Sequence, residues 1–357
     1  MPSSSSGQSD PHKDAIKVLD EACGDVTAFR ERPLLVLYYP PPAPMSEQDL
    51  EDVYRAFREH NVTPENKLSK LDVLIESYGG DPTAGYRLAQ LIRDFADDVN
   101  FLVVAHAYSA ATILCFSGDQ IRLGHLAGLS PIDISLMYSS SEQPRSEVEL
   151  ASLDSFLEFA TKAREKTEKI LKKLGSKNTT NIDSDLLVSM VQEIGALTVG
   201  KYFRERNLTR IYAEELLSRY MLPSHLDGQH RSQSLIQNFL FGAPSHQFHL
   251  DYHLCVKFGL VVIEMDTEEF DKVRAFVEIL EQLADQGVIC QQVSPAYRLP
   301  FFRFYPVASS VLAATEPEIQ PEAVQPDGTA ISPNGHSEAK KETTNELQKD
   351  KQEPAGT

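Results

Sequence analysis

A serine and an upstream pair of glycines carry the chemistry for which this chain can be read. Ser109 stands in Ala105-His-Ala-Tyr-Ser-Ala-Ala-Thr-Ile-Leu-Cys115, a small-residue turn between an apolar strand and an apolar helix. Upstream, a second strand ends in Ser77-Tyr-Gly-Gly-Asp81. A hydroxyl at the mouth of a strand-to-helix turn can serve as a nucleophile, and bare backbone N–H groups facing it can bind an oxyanion. That pairing is what acyl transfer requires. Each half also has a plainer reading: Ser109 as a helix cap, Gly79-Gly80 as a strand-ending turn. Farther on, His246-Gln-Phe-His249-Leu-Asp251-Tyr-His253 gathers three histidines and an acid in eight residues. It lacks a cysteine pair or second cluster, so no metal site is expected there.

Strands must bring the two segments together. Leu34-Leu-Val-Leu-Tyr-Tyr39 reads as a strand stopped by Pro40-Pro-Pro42, and Leu71 to Ile75 as a second. Phe101 to Ala105 is continuously apolar, as for a parallel strand covered on both faces. Between them, Leu50, Val53 and Phe57, then Ala84, Leu88, Leu91, Ile92 and Phe95 within Thr83 to Asp97, recur at helical spacing. Ala110 to Phe116 begins a buried helix and Gln120 to Leu123 is a further short strand. This alternation implies an α/β fold with right-handed crossovers, whose ligands bind at the carboxyl ends of the strands. Both candidate segments lie at such ends.

From residue 141 the pattern changes. Ser141 to Glu149 is polar, and long helices are expected from Leu153 to Leu174, Asp183 to Arg206 and Thr209 to Tyr220. Leu222 to Ser234 reads as loop, Leu260 to Ile263 as an apolar run, Glu268 to Gln286 as a helix and Val288 to Cys290 as a last strand. Asp14 to Arg30 reads as a leading helix. The expected organisation is a disordered N-terminus over 1–14, one domain over 15–305 with a helical region at 141–240, and a flexible acidic tail over 306–357.

Composition narrows the function classes. The 357 residues carry a net charge of −18, which argues against a general nucleic-acid binder because phosphate is repelled. The four cysteines show no CxxC spacing, so neither zinc knuckle nor redox pair is suggested. The N-terminus lacks signal-peptide order and no stretch reaches the roughly 20 apolar residues of a membrane span. A cytoplasmic protein is expected.

Three stretches resemble the serine dehydrogenase proteinase family, a branch of the Clp-protease and crotonase superfamily related to signal-peptide peptidase A. They are Leu71 to Asp81, similar to the family's strand plus Ser-Pro-Gly-Gly; Ala107 to Ile121, similar to Met-Ser-Ala-Gly-Thr and Ala-Asp-Glu-Ile; and Leu129-Ser-Pro-Ile-Asp133, similar to Leu-Gly-Pro-Ile-Asp. Ser245-His246 and Phe258-Gly-Leu260 add a weaker fourth. The resemblance implies a spiral of ββα units and an ATP-independent serine peptidase acting on peptide or protein substrates without a cofactor. It implies Ser109 as nucleophile, Asp133 as orienting acid, His246 as base, and Gly80 and Ala110 as oxyanion donors. His125 and Lys201 are alternative bases, with Lys162 behind them. It also implies a homo-oligomer, for which the 141–240 region is the candidate element. Two departures, Tyr78 for the family's proline and Ala111 for the glycine of its Ser-Ala-Gly-Thr, keep open an inactive scaffold with the same fold. A crotonase-like acyl-CoA enzyme is the more distant rival.

Overall fold

The computed structural model of the chain describes residues 11–132, 135–138, 146–149, 165, 169, 196–222, 228–242, 245, 248–294 and 297–307. In chain order these form α1 (Pro11–Arg30), β1 (Leu34–Tyr38), α2 (Asp49–Arg58), β2 (Leu68–Glu76), α3 (Pro82–Phe95) and β3 (Ala96–Val103). There follow β4 (His106–Ala107), α4 (Ala110–Cys115), β5 (Gln120–Leu123), β6 (Gly128–Leu129), β7 (Ser135–Tyr138) and β8 (Ser146–Glu149). The remainder comprises α5 (Ala196–Leu216) running into a π-helical turn at Leu217–Met221, α6 (Gly228–Phe241), α7 (Tyr252–Phe258), β9 (Val262–Glu264) and α8 (Thr267–Asp285). Three short strands close it: β10 (Gln292–Ser294), β11 (Tyr297–Arg298) and β12 (Phe301–Tyr305).

The main sheet has the order β12-β1-β2-β3-β5-β9 and is parallel except for the antiparallel edge strand β12. Both faces of the central strands are covered, which is why Leu34–Tyr38, Val73-Leu-Ile75 and Phe101-Leu-Val103 run continuously apolar rather than alternating. In β1 the period of two splits the side chains between two cores. Leu35 and Leu37 join Val53, Phe57, Leu88, Ile92 and Ile113 on the α2, α3 and α4 side. Leu34 and Val36 join Leu19, Val26, Val273, Phe276 and Leu280 beneath α1 and α8. Each such side chain, fully removed from water, stabilises by about 1.5–3 kcal/mol.

A second, smaller layer of strands crosses the carboxyl ends of the first. Ser77 bridges Ala107, β4 pairs in parallel with β6, and Leu129 pairs with Leu250 in the antiparallel sense. The repeated unit is thus a long strand, a short strand turned into the second layer, and a helix, as in β3–β4–α4. This is the expected mixed α/β arrangement of ββα units.

Several elements differ from the sequence expectations, each for a physical reason. Helix α1 begins at Pro11, so residues 11–14 belong to it. Strand β3 starts directly at the end of α3; its polar opening, Asp97-Asp98, hides it, and Asp98 is matched by Arg32 at 2.9 Å. One helix, α5, runs through Asn207, where two were expected, because the Asn207 side chain accepts from Arg210 rather than breaking the turn. Helix α6 occupies part of what reads as loop; its polar start masks the buried Leu235, Ile236 and Phe239. The 141–240 region is not helical throughout, since β8 falls within it and pairs with β7 as a hairpin. Among the described residues the last strand is β12, paired along β1, and not Val288 to Cys290. The segments 1–10 and 308–357 lie outside the described residues.

Candidate active site

Ser109 occupies a backbone conformation that L-residues rarely adopt, φ 52° and ψ −114°, between β4 and α4. Such a position costs on the order of 1–3 kcal/mol and persists only when its surroundings impose it. Here they do. The Ser109 N–H donates to Ser130 Oγ at 2.7 Å, and the Ser109 carbonyl accepts from Ile113 at 3.1 Å. Thr112 Oγ1 donates to the Ala107 carbonyl at 2.7 Å and lies 3.1 Å from that of Ser130, tying the elbow to β6.

The two glycines are needed by different neighbours. Gly79 has φ 105°, and a Cβ there would fall 2.7 Å from Ser109 Cβ and 2.9 Å from the Tyr108 carbonyl. Gly80 has φ 153°, and a Cβ there would strike the backbone of Met45. Met45 N–H donates to Gly79 O and Asp81 N–H to Met45 O, both at 2.9 Å, so the Gly80 N–H stays outside that pairing. The Ala110 N–H opens α4 and precedes its first intrahelical bonds. Ala111 takes ordinary helical geometry with its N–H on Tyr108 O at 2.9 Å. The close approach of α3 to α4 falls instead at Gly85, where a Cβ would meet Ala110 O at 2.6 Å.

Glu76, the last residue of β2, lies behind this turn. Its carboxylate accepts from Val104 at 2.7 Å and from Ala105 and His106 at 2.9 Å, which fixes the bend between β3 and β4. Burial, only partly opposed by those three donors, pushes its pKa up to about 7.

Around the turn stands a cluster of rings. Tyr78 is half exposed and stacks on His106 at 4.6 Å; Tyr108 meets His106 edge-on at 5.1 Å. The Tyr108 hydroxyl lies 3.0 Å from His249 Nδ1. Burial, with His249 nearby, holds His106 below the usual imidazole range. Beside the rings, a cavity of about 470 Å³ is lined by Pro41, Pro42, Ala43, Pro44, Tyr78, Gly79 and Gly80.

Of the residues singled out from sequence, Ser109, Gly80 and Ala110 come together here. Asp133 and His246 lie outside the described residues. His125 is elsewhere: exposed, 3.5 Å from the Glu264 carboxylate and packed on Phe270 of α8. Lys201 is exposed on α5, and Lys162 lies outside the described residues. Sequence reasoning gave no role to Glu76, Tyr108 and Ser130. The available signals were an acid closing an apolar strand and a serine inside the third motif.

No family model matches this chain, and no curated protein does. Among solved structures, the 1510-N membrane-bound stomatin-specific protease is 12% identical, over 64% of this chain and 80% of that one, with a TM-score of 0.34. ClpP1 from Listeria monocytogenes is 12% identical, over 70% and 99%, with a TM-score of 0.35. A peptidase from Plasmodium falciparum is 14% identical, over 68% and 100%, with a TM-score of 0.31. Among the described residues no helix is long and apolar enough to cross a membrane.

Proposed function

We propose that this chain is an ATP-independent serine peptidase with Ser109 as its nucleophile. The observation that carries the reading is the strained Ser109 elbow packed against Gly79, with the Gly80 and Ala110 N–H groups outside the surrounding backbone pairing. Ser109 Oγ would attack the peptide carbonyl, and those two N–H groups would hold the oxygen as it gains charge. One such donor typically lowers the barrier by about 3 kcal/mol. The motif resemblance suggests His246 as base and Asp133 as orienting acid.

The cavity beside the glycines favours an apolar side chain in the substrate. Pro41, Pro42 and Pro44 have no N–H, the Ala43 N–H is spent on Pro40 O at 2.7 Å, and that of Gly79 on Ser77 Oγ at 3.0 Å. A side chain that must accept hydrogen bonds would find only the Gly80 N–H and the Tyr78 hydroxyl in that wall, and leaving it unpartnered there costs about 1–3 kcal/mol. Self-association through the helical region belongs to the same proposal; a compact monomer at micromolar concentration in sedimentation velocity would remove it.

A fluorophosphonate probe tests the nucleophile. The wild-type chain is expected to be labelled on one serine and Ser109→Ala to lose all label. A folded wild type that labels no faster than Ser109→Ala would leave a scaffold that keeps the fold without the chemistry.

A further inference from the structure

We propose that the proton released by Ser109 is taken by His249, with the Tyr108 hydroxyl orienting its ring; this rests on the peptidase reading above. Three ties hold His249 to the nucleophile's turn. First, Leu129 and Leu250 exchange both backbone hydrogen bonds, at 3.0 and 2.9 Å. In an antiparallel pair the next residues, Ser130 and His249, then stand opposite one another on one face. Ser130 is the residue whose Oγ receives the Ser109 N–H. Second, the imidazole lies directly on the backbone of Gly128, in space that any Cβ would occupy, so the ring has a bare strand to rest on. Third, Tyr108, the residue before the nucleophile, reaches His249 Nδ1 with its hydroxyl.

The ring is exposed, so substrate and solvent can reach it. With Nδ1–H donating to the Tyr108 oxygen, Nε2 keeps its lone pair and is the basic atom. As Ser109 Oγ bonds to the carbonyl carbon, its proton moves to Nε2. The imidazolium then returns that proton to the departing amine nitrogen as the C–N bond breaks. Among the described residues, the titratable groups facing the ring are His106 of β4 and Tyr108 just after it. Asp251, two residues on, is committed to the Leu254 N–H at 2.8 Å as the cap of α7. The orienting partner is therefore a neutral phenol, which stabilises the imidazolium less than a carboxylate would.

The test is fluorophosphonate labelling of the full chain across pH, with Ser109→Ala setting the background. His249→Gln is expected to lower the labelling rate by about 100-fold or more, the usual weight of a general base. His253→Gln, on the exposed surface of α7, is expected to keep the wild-type rate. Imidazole added to His249→Ala is expected to restore labelling. Because His249 variants remove a packed ring, Tyr108→Phe provides a milder probe. It keeps its own ring, loses the acceptor for Nδ1–H, and is expected to label more slowly with the alkaline-rising limb moved to lower pH. Wild-type rates in His249→Gln, or a loss confined to His246→Gln, would overturn the assignment and leave the peptidase standing. A folded wild type that never labels would overturn both.

Discussion

Strand β2 buries two carboxylates four residues apart on one face, and the protein treats them in opposite ways. Asp72 is 1% exposed and sits among guanidinium groups, 2.7 Å from Arg30 and 2.6 Å from Arg32. The same network takes in Glu269 of α8, bound by Arg30 at 3.1 Å and by Arg122, and so ties α1, β2, β5 and α8 into one block. Glu76 is 7% exposed and accepts only backbone N–H groups from the bend that leads to Ser109. The first arrangement locks the scaffold with compensated charge. The second fixes the geometry of a loop and leaves a titratable group near neutrality behind the candidate site. The difference is one of purpose: ion pairs join elements, whereas a bare carboxylate can shape three consecutive peptide units.

Removing Asp72 should have the largest effect. Asp72→Ala takes the shared partner from the buried Arg32 and the part-buried Arg30, leaving them Asp98 and Glu269, and is expected to cost about 3 kcal/mol in urea unfolding. A loss below about 1 kcal/mol would mean that Glu269 and Asp98 suffice without it.

The Glu76 prediction concerns pH and has a definite sign. Its folded pKa, raised from 4.5 to about 7, means that the folded chain holds this proton longer than the unfolded chain. Its contribution to stability is therefore present below about 4.5 and falls as pH rises towards 7, by at most about 1.4 kcal/mol per pH unit. Glu76→Gln cannot ionise, but it turns an NH₂ group towards backbone donors and is expected to be less stable by about 1–3 kcal/mol. The gap between wild type and Glu76→Gln in urea midpoint should shrink from pH 5 to pH 8. A constant gap would show that Glu76 does not titrate in that range. The smallest effect belongs to an exposed pair: Arg55→Ala, which removes the 3.3 Å contact with Asp52, should change stability by less than about 0.5 kcal/mol.

This contrast also marks what the sequence revealed. The central strands were legible because burial on both faces writes continuous apolar runs, as in Val73-Leu-Ile75 and Phe101-Leu-Val103. The serine turn and glycine pair were legible as turns because clusters of small residues mark the ends of strands. Glu76 was not, because its partners Val104, Ala105 and His106 lie about 30 residues away and act through peptide groups common to every residue. The arginine network was hidden for a similar reason: nothing local to Arg30 announces Asp72. Helix α6 was missed because its opening Gln229-His-Arg-Ser-Gln233 reads as loop until Leu235, Ile236 and Phe239 are seen to be buried. His249 was visible but without a task, since the face it shares with Ser130 emerges only from the pairing of Leu129 with Leu250.

The contact between Gly79 and Ser109 has a consequence for the history of such a chain. Ser109 Cβ and the Tyr108 carbonyl fill the space that a side chain at 79 would need, so that position cannot enlarge. A methyl group at 79 would wedge the mouth open and disturb the fold in the same stroke. Inherited change should therefore spare position 79, and a laboratory search for altered specificity should vary the proline wall of the cavity and leave both of these codons alone.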